Sequence, residues 1–218
     1  MSSFALHTRA GLIYSLKQNG INDQQVIDVF EKTPRDIFVM PELAARAYDD
    51  VALPIGRGQT ISQPSLVALM TQALQVSDRH KVLEVGTGSG YQASILARLC
   101  RRLYTIERHR PLHEFALDKF NQQRLNNITA LLGDGFAGWP SQAPFDRIMV
   151  TAAAPKVPAT LLNQLAEGGI LVMPVGGVGE TQQLRRVTRM GDDLYSSVNL
   201  CTVRFVPMVP DIARDDQP

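Results

Sequence analysis

The chain has little cysteine, little net charge and no long apolar run. Its 218 residues include two cysteines, Cys100 and Cys201, too few for a disulfide framework or a zinc cage. The 22 basic and 21 acidic residues leave a formal net charge of +1, which gives no electrostatic reason to expect nucleic acid or an anionic membrane as partner. The apolar stretches are strand-sized, and the first residues lack the apolar core of a signal peptide. The sequence therefore predicts a cytoplasmic protein without nucleic-acid or membrane partners.

The overall composition is that of an ordinary folded domain. Hydrophobic residues make up 44% and charged residues 20% of the chain, so enough apolar surface can be buried to offset the entropy of ordering. The 16 glycines and 13 prolines are too few for a collagen-like or linker-like protein. We therefore expect one domain over residues 1–218. We also expect a monomer, although no sequence feature decides the oligomeric state.

The middle of the chain alternates between short apolar strands and helix-like stretches. This alternation predicts βαβ units and hence an α/β fold with a doubly wound, mostly parallel sheet. We expect an N-terminal helical extension (1–60), a cofactor-binding core (61–177) and C-terminal antiparallel strands with a tail (178–218). The strands of the core are expected at 81–85, 103–106, 128–132, 145–150 and 169–174, and two of its helices at 91–99 and 111–120.

A glycine-rich segment, EVGTGSG, follows the first strand of this core at residues 84–90. Glycines between a strand and a helix let the backbone turn tightly and approach a ligand closely. The dinucleotide-binding fingerprint needs a glycine at position 91, where this chain has Tyr91. No lysine follows the glycines, which excludes a P-loop. A nucleoside without a polyphosphate fits this segment better, and S-adenosylmethionine is the obvious candidate.

Two acidic residues stand where the next two strands are expected to end. Glu107 follows Gly90 by 17 residues, and a carboxylate at that place can accept hydrogen bonds from a ribose diol. Asp134 lies between two glycines, where an adenine ring could be bracketed. Ligands of open α/β sheets bind at the carboxyl ends of the strands, which is where these groups lie. The alternative is a tight strand–helix turn with acidic side chains that face only solvent.

Several segments from about Pro34 to Pro207 resemble the protein-L-isoaspartate O-methyltransferase family. They are ALPIG, GQTISQP, VLEVGTGSGYQASILA, GDG, APFDRIMVTAAAP, QLAEGGILVMPVG and VRFVPM. The glycine motif occurs in many methyltransferases, whereas the GQTISQP segment is much more specific. The resemblance implies a Rossmann-like fold that uses S-adenosyl-L-methionine. It also implies methyl transfer to the α-carboxylate of L-isoaspartyl residues in damaged peptides and proteins, which starts repair through a methyl ester and a succinimide.

The resemblance also implies roles for individual residues. Ser62 matches the active-site serine of the family. The residues that match substrate-holding segments are Thr60, Ile61, Ser62, Val203, Phe205 and Val206. The residues that match the cofactor shell are Glu84, Gly86, Thr87, Gly88, Gly90, Glu107, Asp134 and Gly135.

The residues themselves leave two interpretations of the substrate segments open. Pro64 is favoured in the first turn of a helix, so Ser62 stands near a helix start. Its hydroxyl could hold a substrate carboxylate together with free backbone N–H groups, or it could only cap the helix. Two antiparallel strands are expected within 184–206, and the stretch 203–206 could pair with the main chain of a peptide. The alternative is that 203–206 is an ordinary sheet strand.

The expected chemistry requires few catalytic groups. A carboxylate with a pKa of about 3.9 is ionised at pH 7, so it needs no general base to attack a methyl group. No metal is expected, because His109 and His113 have no evident third ligand. Two other functions stay open from the residues alone, a methyltransferase for a small metabolite and a nucleoside-binding sensor without catalysis. A dehydrogenase is a weaker alternative because of Tyr91.

Overall fold

The N-terminal region is helical, as the sequence predicts. The structure, a computed structural model, describes residues 8–177 and 179–214. Helices α1 (Arg9–Gln18) and α2 (Gln24–Lys32) begin after Thr8 and Asp23, whose side chains accept hydrogen bonds from the first turn of each helix. Such caps satisfy backbone donors that have no partner within the helix. Short 3-10 helices follow at Arg35–Phe38 and Pro41–Arg46.

A short β-hairpin and a third helix connect this region to the central sheet. Strands β1 (Leu53–Gly56) and β2 (Gln59–Ile61) pair antiparallel, and Arg57 in the turn between them has a positive φ of 54°. Helix α3 (Pro64–Leu74) begins with the proline that the sequence analysis places in a first helical turn. The hairpin therefore lies directly before α3 in the chain.

A seven-stranded sheet forms the centre of the molecule. Its strands are β3 (Lys81–Val85), β4 (Arg102–Glu107), β5 (Ile128–Leu132), β6 (Phe145–Val150), β7 (Leu165–Val175), β8 (Gln182–Gly191) and β9 (Leu194–Val203). The helices between them are α4 (Tyr91–Ala97), α5 (Arg110–Gln122) and α6 (Ala159–Asn163). The strand order is β5-β4-β3-β6-β7-β8-β9, with β3 to β7 parallel and the last two strands antiparallel. The expected doubly wound, mostly parallel sheet with C-terminal antiparallel strands is confirmed.

The order of the strands places a cleft at the carboxyl end of β3. Strand β4 lies on one side of β3 and β6 on the other. The chain runs outward from β3 through β4 to β5 and then crosses back to β6. Alternate residues of β3 pack on opposite faces of the sheet. Val82 belongs to a buried cluster with α3, α4 and α5, and Leu83 to one that includes α6. Ligands of such sheets bind where the strand order reverses.

Several element boundaries differ from those that the sequence predicts. The helix expected to reach residue 99 ends at Ala97, and the strand expected to start at 169 starts at Leu165. The extended stretch expected through residue 206 ends at Val203. The buried side chain of Gln182 accepts a hydrogen bond from Phe205 N at 2.7 Å and donates one to Phe205 O at 3.1 Å. The Gln182 side chain thus binds the Phe205 backbone groups that a neighbouring strand would otherwise bind. The hydrogen-bond ladder between β8 and β9 therefore ends before Phe205.

Two further expectations concern the whole chain. The expected boundary between residues 60 and 61 falls within β2, and the division of the chain at residues 60 and 177 stays a prediction. The parts of that division at residues 1–7, 178 and 215–218 lie outside the described residues. Within the described ranges, none of the helices has the length and apolar character needed to cross a bilayer.

Candidate active site

A cavity opens at the carboxyl ends of β3 and β4, where the strand order reverses. Its walls come from the β1–β2 hairpin and the residue after it, from residues 86–89 of the glycine loop (86–90) with the start of α4, from the end of β4, and from residues 206–209 of the C-terminal segment (206–213). These parts come from distant regions of the sequence. The sequence predicts these parts separately, and the topology of the sheet brings them together in one site.

The glycine loop adopts backbone conformations and close contacts that favour glycine at two positions. Gly86 has φ +97°, and a Cβ atom there would lie 2.2 Å from Thr151 Oγ1, which donates a hydrogen bond to Gly86 O at 2.7 Å. Gly90 has φ +87°, and a Cβ atom there would lie 2.9 Å from Phe120 Cε1 on α5. Gly86 therefore allows β6 to approach the loop, and Gly90 allows α5 to do so.

Glu107 is the acidic group that the structure brings to the cavity. Its carboxylate is 5% exposed and accepts Gly88 N on Oε2 at 2.8 Å, while Oε1 accepts Arg108 N at 2.8 Å and His109 N at 2.9 Å. A carboxylate offers about four lone-pair sites, so these three bonds leave acceptor capacity on Oε2. The side chain is thus fixed by the glycine loop and still able to accept a ribose hydroxyl.

Glu84 lies beneath the glycine loop and not in the cavity wall. It is 0% exposed, and its Oε2 accepts a hydrogen bond from Thr105 Oγ1 at 2.5 Å. Thr105 Oγ1 in turn lies 2.6 Å from Thr87 Oγ1 in the loop. Burial, with the nearby charge of Glu107, raises the pKa of Glu84 to about 8, so this carboxyl is mostly protonated at neutral pH. Glu84 therefore supports the loop through two hydroxyl groups.

Ser62 lines the cavity and is not a helix cap. Helix α3 begins at Pro64 with Gln63 as its N-cap residue, and the Gln63 side chain makes no capping hydrogen bond. The N-cap interpretation of Ser62 is therefore wrong, because the chain is still extended at Gln63. The backbone carbonyl of Ser62 accepts a hydrogen bond from the buried guanidinium of Arg35 at 3.0 Å. The substrate-holding interpretation of the Ser62 hydroxyl stays a prediction.

The other residues singled out from the sequence divide into two groups. Those that line the cavity are Thr60, Ile61, Gly86, Thr87, Gly88, Gly135 and Val206, whereas Gly90 does not line it. Among those that do not, the Asp134 carboxylate accepts a hydrogen bond from Phe136 N at 2.8 Å and caps a short turn, while its two neighbouring glycines line the cavity. Val203 lines a separate surface groove beside Gln63 and Ser65. Phe205 packs against the apolar cluster under α3 and α4.

The structure also brings residues to the site that the sequence analysis did not select. Tyr91, which entered that analysis only as a departure from the dinucleotide fingerprint, is buried in the wall against Phe38 at a ring-centroid distance of 5.3 Å. His109 lines the cavity next to Glu107, and burial lowers the pKa of its imidazole. Arg35 stands behind the wall. The sequence gives no signal for this position, because the partners of Arg35 are backbone carbonyls.

Comparison with known proteins identifies the family. The family model described as protein-L-isoaspartate(D-aspartate) O-methyltransferase matches residues 7–213. The chain is 52% identical over 207 residues to the protein-L-isoaspartate O-methyltransferase of Parvibaculum lavamentivorans, covering 94% of this chain and 92% of that protein. It is 54% identical over 203 residues to that of Maricaulis maris, covering 93% and 94%. The chain belongs to the protein-L-isoaspartate(D-aspartate) O-methyltransferase family.

Solved structures agree with this membership. A protein-L-isoaspartate O-methyltransferase structure superposes with a TM-score of 0.84 and 28% identity, over 94% of this chain and 67% of that one. A Plasmodium falciparum structure in complex with S-adenosyl-L-homocysteine superposes with a TM-score of 0.79 and 24% identity, over 91% and 96% of the two chains, and supports the fold.

Membership in the family also assigns the activity. The chain is an S-adenosyl-L-methionine-dependent methyltransferase that acts on L-isoaspartyl residues of proteins, an activity whose role in this family is repair. This assignment sets aside the metabolite methyltransferase, the nucleoside sensor and the dehydrogenase. The residues of the cavity fit the methyl donor, since the loop and the free acceptor capacity of Glu107 suit a nucleoside.

Proposed function

We propose that the acceptor carboxylate of an L-isoaspartyl residue is held by Ser62 while the donor is held by the glycine loop and Glu107. The observation that carries this proposal is that Ser62, the glycine loop and Glu107 line one cavity. When bound, S-adenosyl-L-methionine supplies an electrophilic methyl group. The part of the protein is to hold the two reactants in line in a site that excludes water, and alignment of this kind contributes several kcal/mol to catalysis.

The donor side of the site consists of the groups that hold a nucleoside. We propose that Gly86 to Ser89 approach the donor through their backbone, and that Glu107 accepts a ribose hydroxyl on Oε2. Gly133 and Gly135 line the same cavity, so we propose that their backbone, and not the Asp134 side chain, borders the base. Glu84 acts from beneath through Thr105 and Thr87 and does not contact the donor.

The acceptor side of the site consists of the hairpin and Ser62. The substrate carboxylate is ionised at neutral pH, so no residue has to remove a proton from it. We propose that the Ser62 hydroxyl donates a hydrogen bond that orients this carboxylate or the neighbouring amide. Thr60 and Ile61, on the strand before it, form the adjoining wall of the cavity.

The peptide flanking the isoaspartyl residue is proposed to lie along the edge strand β9. This strand is last in the sheet, so its outer side can pair with an extended main chain. A groove between the start of α3 and the end of β9 contains both Gln63, next to Ser62, and Val203. Main-chain pairing tolerates many flanking sequences, because backbone hydrogen bonds do not read side chains. Phe205 has a smaller part in this proposal than Val203 and Val206, because the amide of Gln182 already binds its N–H and C=O groups.

The role of Ser62 is tested by Ser62→Ala with Ser141→Ala, an exposed serine outside the cavity and the groove, as control. The measurements are steady-state methylation of an isoaspartyl peptide and of its aspartyl twin, binding of S-adenosylhomocysteine by calorimetry, and the melting temperature. We expect Ser62→Ala to lower kcat/KM for the isoaspartyl peptide about 10- to 100-fold, the equivalent of one hydrogen bond to a charged group. Cofactor affinity and melting temperature should stay close to native values. Native turnover by Ser62→Ala would refute this role.

The proposed position of the peptide is tested on the substrate. Isoaspartyl peptides with single N-methylated amides flanking the reactive residue lose one main-chain donor each, whereas side-chain substitutions at the same positions keep it. We expect N-methylation on the side that meets β9 to raise KM about tenfold per lost hydrogen bond, with little effect of the side-chain changes. Equal sensitivity to both kinds of change would refute pairing with the edge strand.

We further propose that the chain acts as a monomer in the cytoplasm and without nucleic acid. The formal net charge of +1 supports the last point. The two free cysteines are those expected of a reducing compartment. Light scattering coupled to size-exclusion chromatography tests the monomer, and a mass of about twice 24.0 kDa would refute it.

A further inference from the structure

Arg35 is a buried arginine whose hydrogen-bond partners are backbone carbonyls. Its side chain is 0% exposed, and the guanidinium carbon lies 5.9 Å from the ring centroid of Tyr91. Its Nε atom is buried without a hydrogen-bond partner in the part of the chain that the structure describes. Burying a charge is costly unless other groups compensate for it. The positions of the backbone carbonyls that bind its guanidinium therefore indicate the role of Arg35.

The two terminal nitrogens of Arg35 bind both chain segments that enter and leave the hairpin. Nη1 donates to Ala47 O at 2.5 Å and approaches Asp49 O at 3.5 Å. Nη2 donates to Val51 O at 3.1 Å and to Ser62 O at 3.0 Å. Val51 lies two residues before β1, and Ser62 directly follows β2. Nη2 thus connects the two ends of the hairpin at the point where the hydrogen bonds between β1 and β2 end.

A second contact ties the entering segment to helix α3. The exposed residue Asp50 accepts a hydrogen bond from Ser65 N on Oδ1 at 2.8 Å, in the first turn of the helix. A carboxylate at this place also interacts favourably with the helix dipole. Arg35 and Asp50 therefore hold the short stretch directly after β2, residues 62–65, from two sides. We call these two side chains and their partner groups the hairpin clamp.

The hairpin clamp acts on the acceptor side of the cavity. The stretch that it holds begins at Ser62 and directly follows Thr60 and Ile61, and these three residues line the cavity. The groups proposed to hold the donor are fixed separately, because Glu107 is bound by backbone N–H groups of the loop and of the residues that follow it. Loss of the clamp should therefore move the acceptor wall more than the donor site.

We propose that Arg35 and Asp50 are positioning residues that fix the acceptor wall of this active site. The proposal rests on the proposed function in one respect, that the wall around Ser62 holds the isoaspartyl group. The planar guanidinium is suited to this task, since its donors point in fixed directions and reach carbonyls on opposite sides. A lysine ammonium is a single point charge and cannot bridge the same set.

The proposal predicts that loss of the clamp raises the KM for the peptide but leaves the cofactor affinity nearly unchanged. Arg35→Lys keeps the charge but loses the planar set of guanidinium donors, and Arg35→Met keeps much of the apolar volume without the charge. We expect both variants to raise the KM for an isoaspartyl peptide by about tenfold or more, with the Kd of S-adenosylhomocysteine within about threefold of native. Val29→Ala, at a buried position of the same apolar cluster, is the control for lost stability and should leave KM near native.

Asp50 provides a test that does not depend on the folding of the Arg35 variants. Asp50→Ala removes the acceptor for Ser65 N, whereas Asp50→Asn keeps an oxygen there. We expect Asp50→Ala to raise the peptide KM about three- to tenfold and Asp50→Asn to raise it less. Equal KM values for the two variants would refute a positioning role for Asp50.

The outcomes also separate this proposal from the role of Ser62. Native peptide KM in folded Arg35→Lys and Arg35→Met, or a parallel rise in KM and in cofactor Kd, would overturn the hairpin clamp even if Ser62→Ala is impaired. If Ser62→Ala is native-like while Arg35→Met and Asp50→Ala raise KM, the role of Ser62 fails. The clamp is then supported as acting through Thr60 and Ile61. A KM in Val29→Ala as high as in the Arg35 variants would also overturn the proposal.

Discussion

The buried carboxyl of Glu84 makes the stability of the protein depend on pH. Its pKa is about 8 in the folded protein, against 4.5 for an exposed carboxyl, chiefly because burial disfavours the charged form. The folded state therefore keeps a proton that the unfolded chain has already released. The contribution of this carboxyl to stability is fully present below pH 4.5 and is lost as the pH rises to about 8.

The size of the effect follows from the difference between the two pKa values. Each pH unit is worth about 1.4 kcal/mol, so a difference of roughly 3.5 units corresponds to about 5 kcal/mol between pH 4.5 and 8. Because Glu84 is 0% exposed, solvent does little to reduce this figure. A loss of this size is comparable to the whole stability of many domains.

The substitution Glu84→Gln removes the titration and keeps an oxygen for the hydroxyl of Thr105. We expect the free energy of unfolding, measured by urea denaturation from pH 5 to 9, to fall more steeply with pH in the native protein than in Glu84→Gln. The variant should therefore gain relative stability as the pH rises. Glu167→Gln, at an exposed position, is the control and should follow the native curve. Parallel curves for the native protein and Glu84→Gln would show that Glu84 is ionised in the folded state throughout.

Two further predictions concern the glycine loop and its acidic partner. Glu107→Gln replaces one acceptor oxygen with an NH2 group that faces a backbone donor, so the affinity for S-adenosylhomocysteine should fall about 10- to 100-fold by calorimetry; unchanged affinity would contradict the assignment. Gly90→Ala should lower the free energy of unfolding by about 2–3 kcal/mol in denaturant, because φ is +87° and the new Cβ would lie 2.9 Å from Phe120. Gly168→Ala, with φ +72° and open space around it, should cost only about 1 kcal/mol. Equal losses of unfolding free energy in Gly90→Ala and Gly168→Ala would show that the close contact with Phe120 does not add to the cost of the substitution.

The parts of the site that could be predicted from the sequence are those fixed by a strand and the turn after it. The loop at 86–90 and Glu107 follow from the alternation of elements, because the carboxyl ends of parallel strands meet at one edge of the sheet. Glu84 also lies near the carboxyl end of a strand, but its side chain does not line the cavity. Its side chain is directed under the loop toward Thr105, its partner in the strand register. Position along a strand gives the edge of the sheet, but not the direction of each side chain.

The parts that could not be predicted depend on single long-range hydrogen bonds. Whether the last strand continues through Phe205 is decided by Gln182, which is 23 residues away and binds the Phe205 backbone with its amide. Arg35 binds carbonyls of residues 12 to 27 positions further along the chain. Backbone carbonyls carry no sequence signal. An arginine that binds them therefore cannot be distinguished by sequence from one that is solvated.

The C-terminal segment (206–213) offers a last prediction about how the donor is retained. Its start is paired with Ala153, whose N–H donates to Val206 O at 2.9 Å and whose C=O accepts from Met208 N at 2.7 Å. Its end binds Arg108, since Ala213 N donates to Arg108 O at 2.9 Å and Arg108 Nε donates to Asp211 O at 3.1 Å. Residues 206–209, at and directly after the first attachment, line the cavity, so the segment borders the proposed donor site.

Shortening the chain separates the two attachments. A chain ending at Pro210 keeps the pairing with Ala153 but loses both hydrogen bonds to Arg108, whereas a chain ending at Arg214 keeps all of them. Two hydrogen bonds of about 1 kcal/mol each correspond to roughly a tenfold to thirtyfold change in an equilibrium. We therefore expect S-adenosylhomocysteine to dissociate about tenfold faster from the chain ending at Pro210, measured by competition with excess unlabelled ligand. Identical dissociation from the two chains would mean that the end of the segment does not retain the donor, and that the contacts at Ala153 are sufficient.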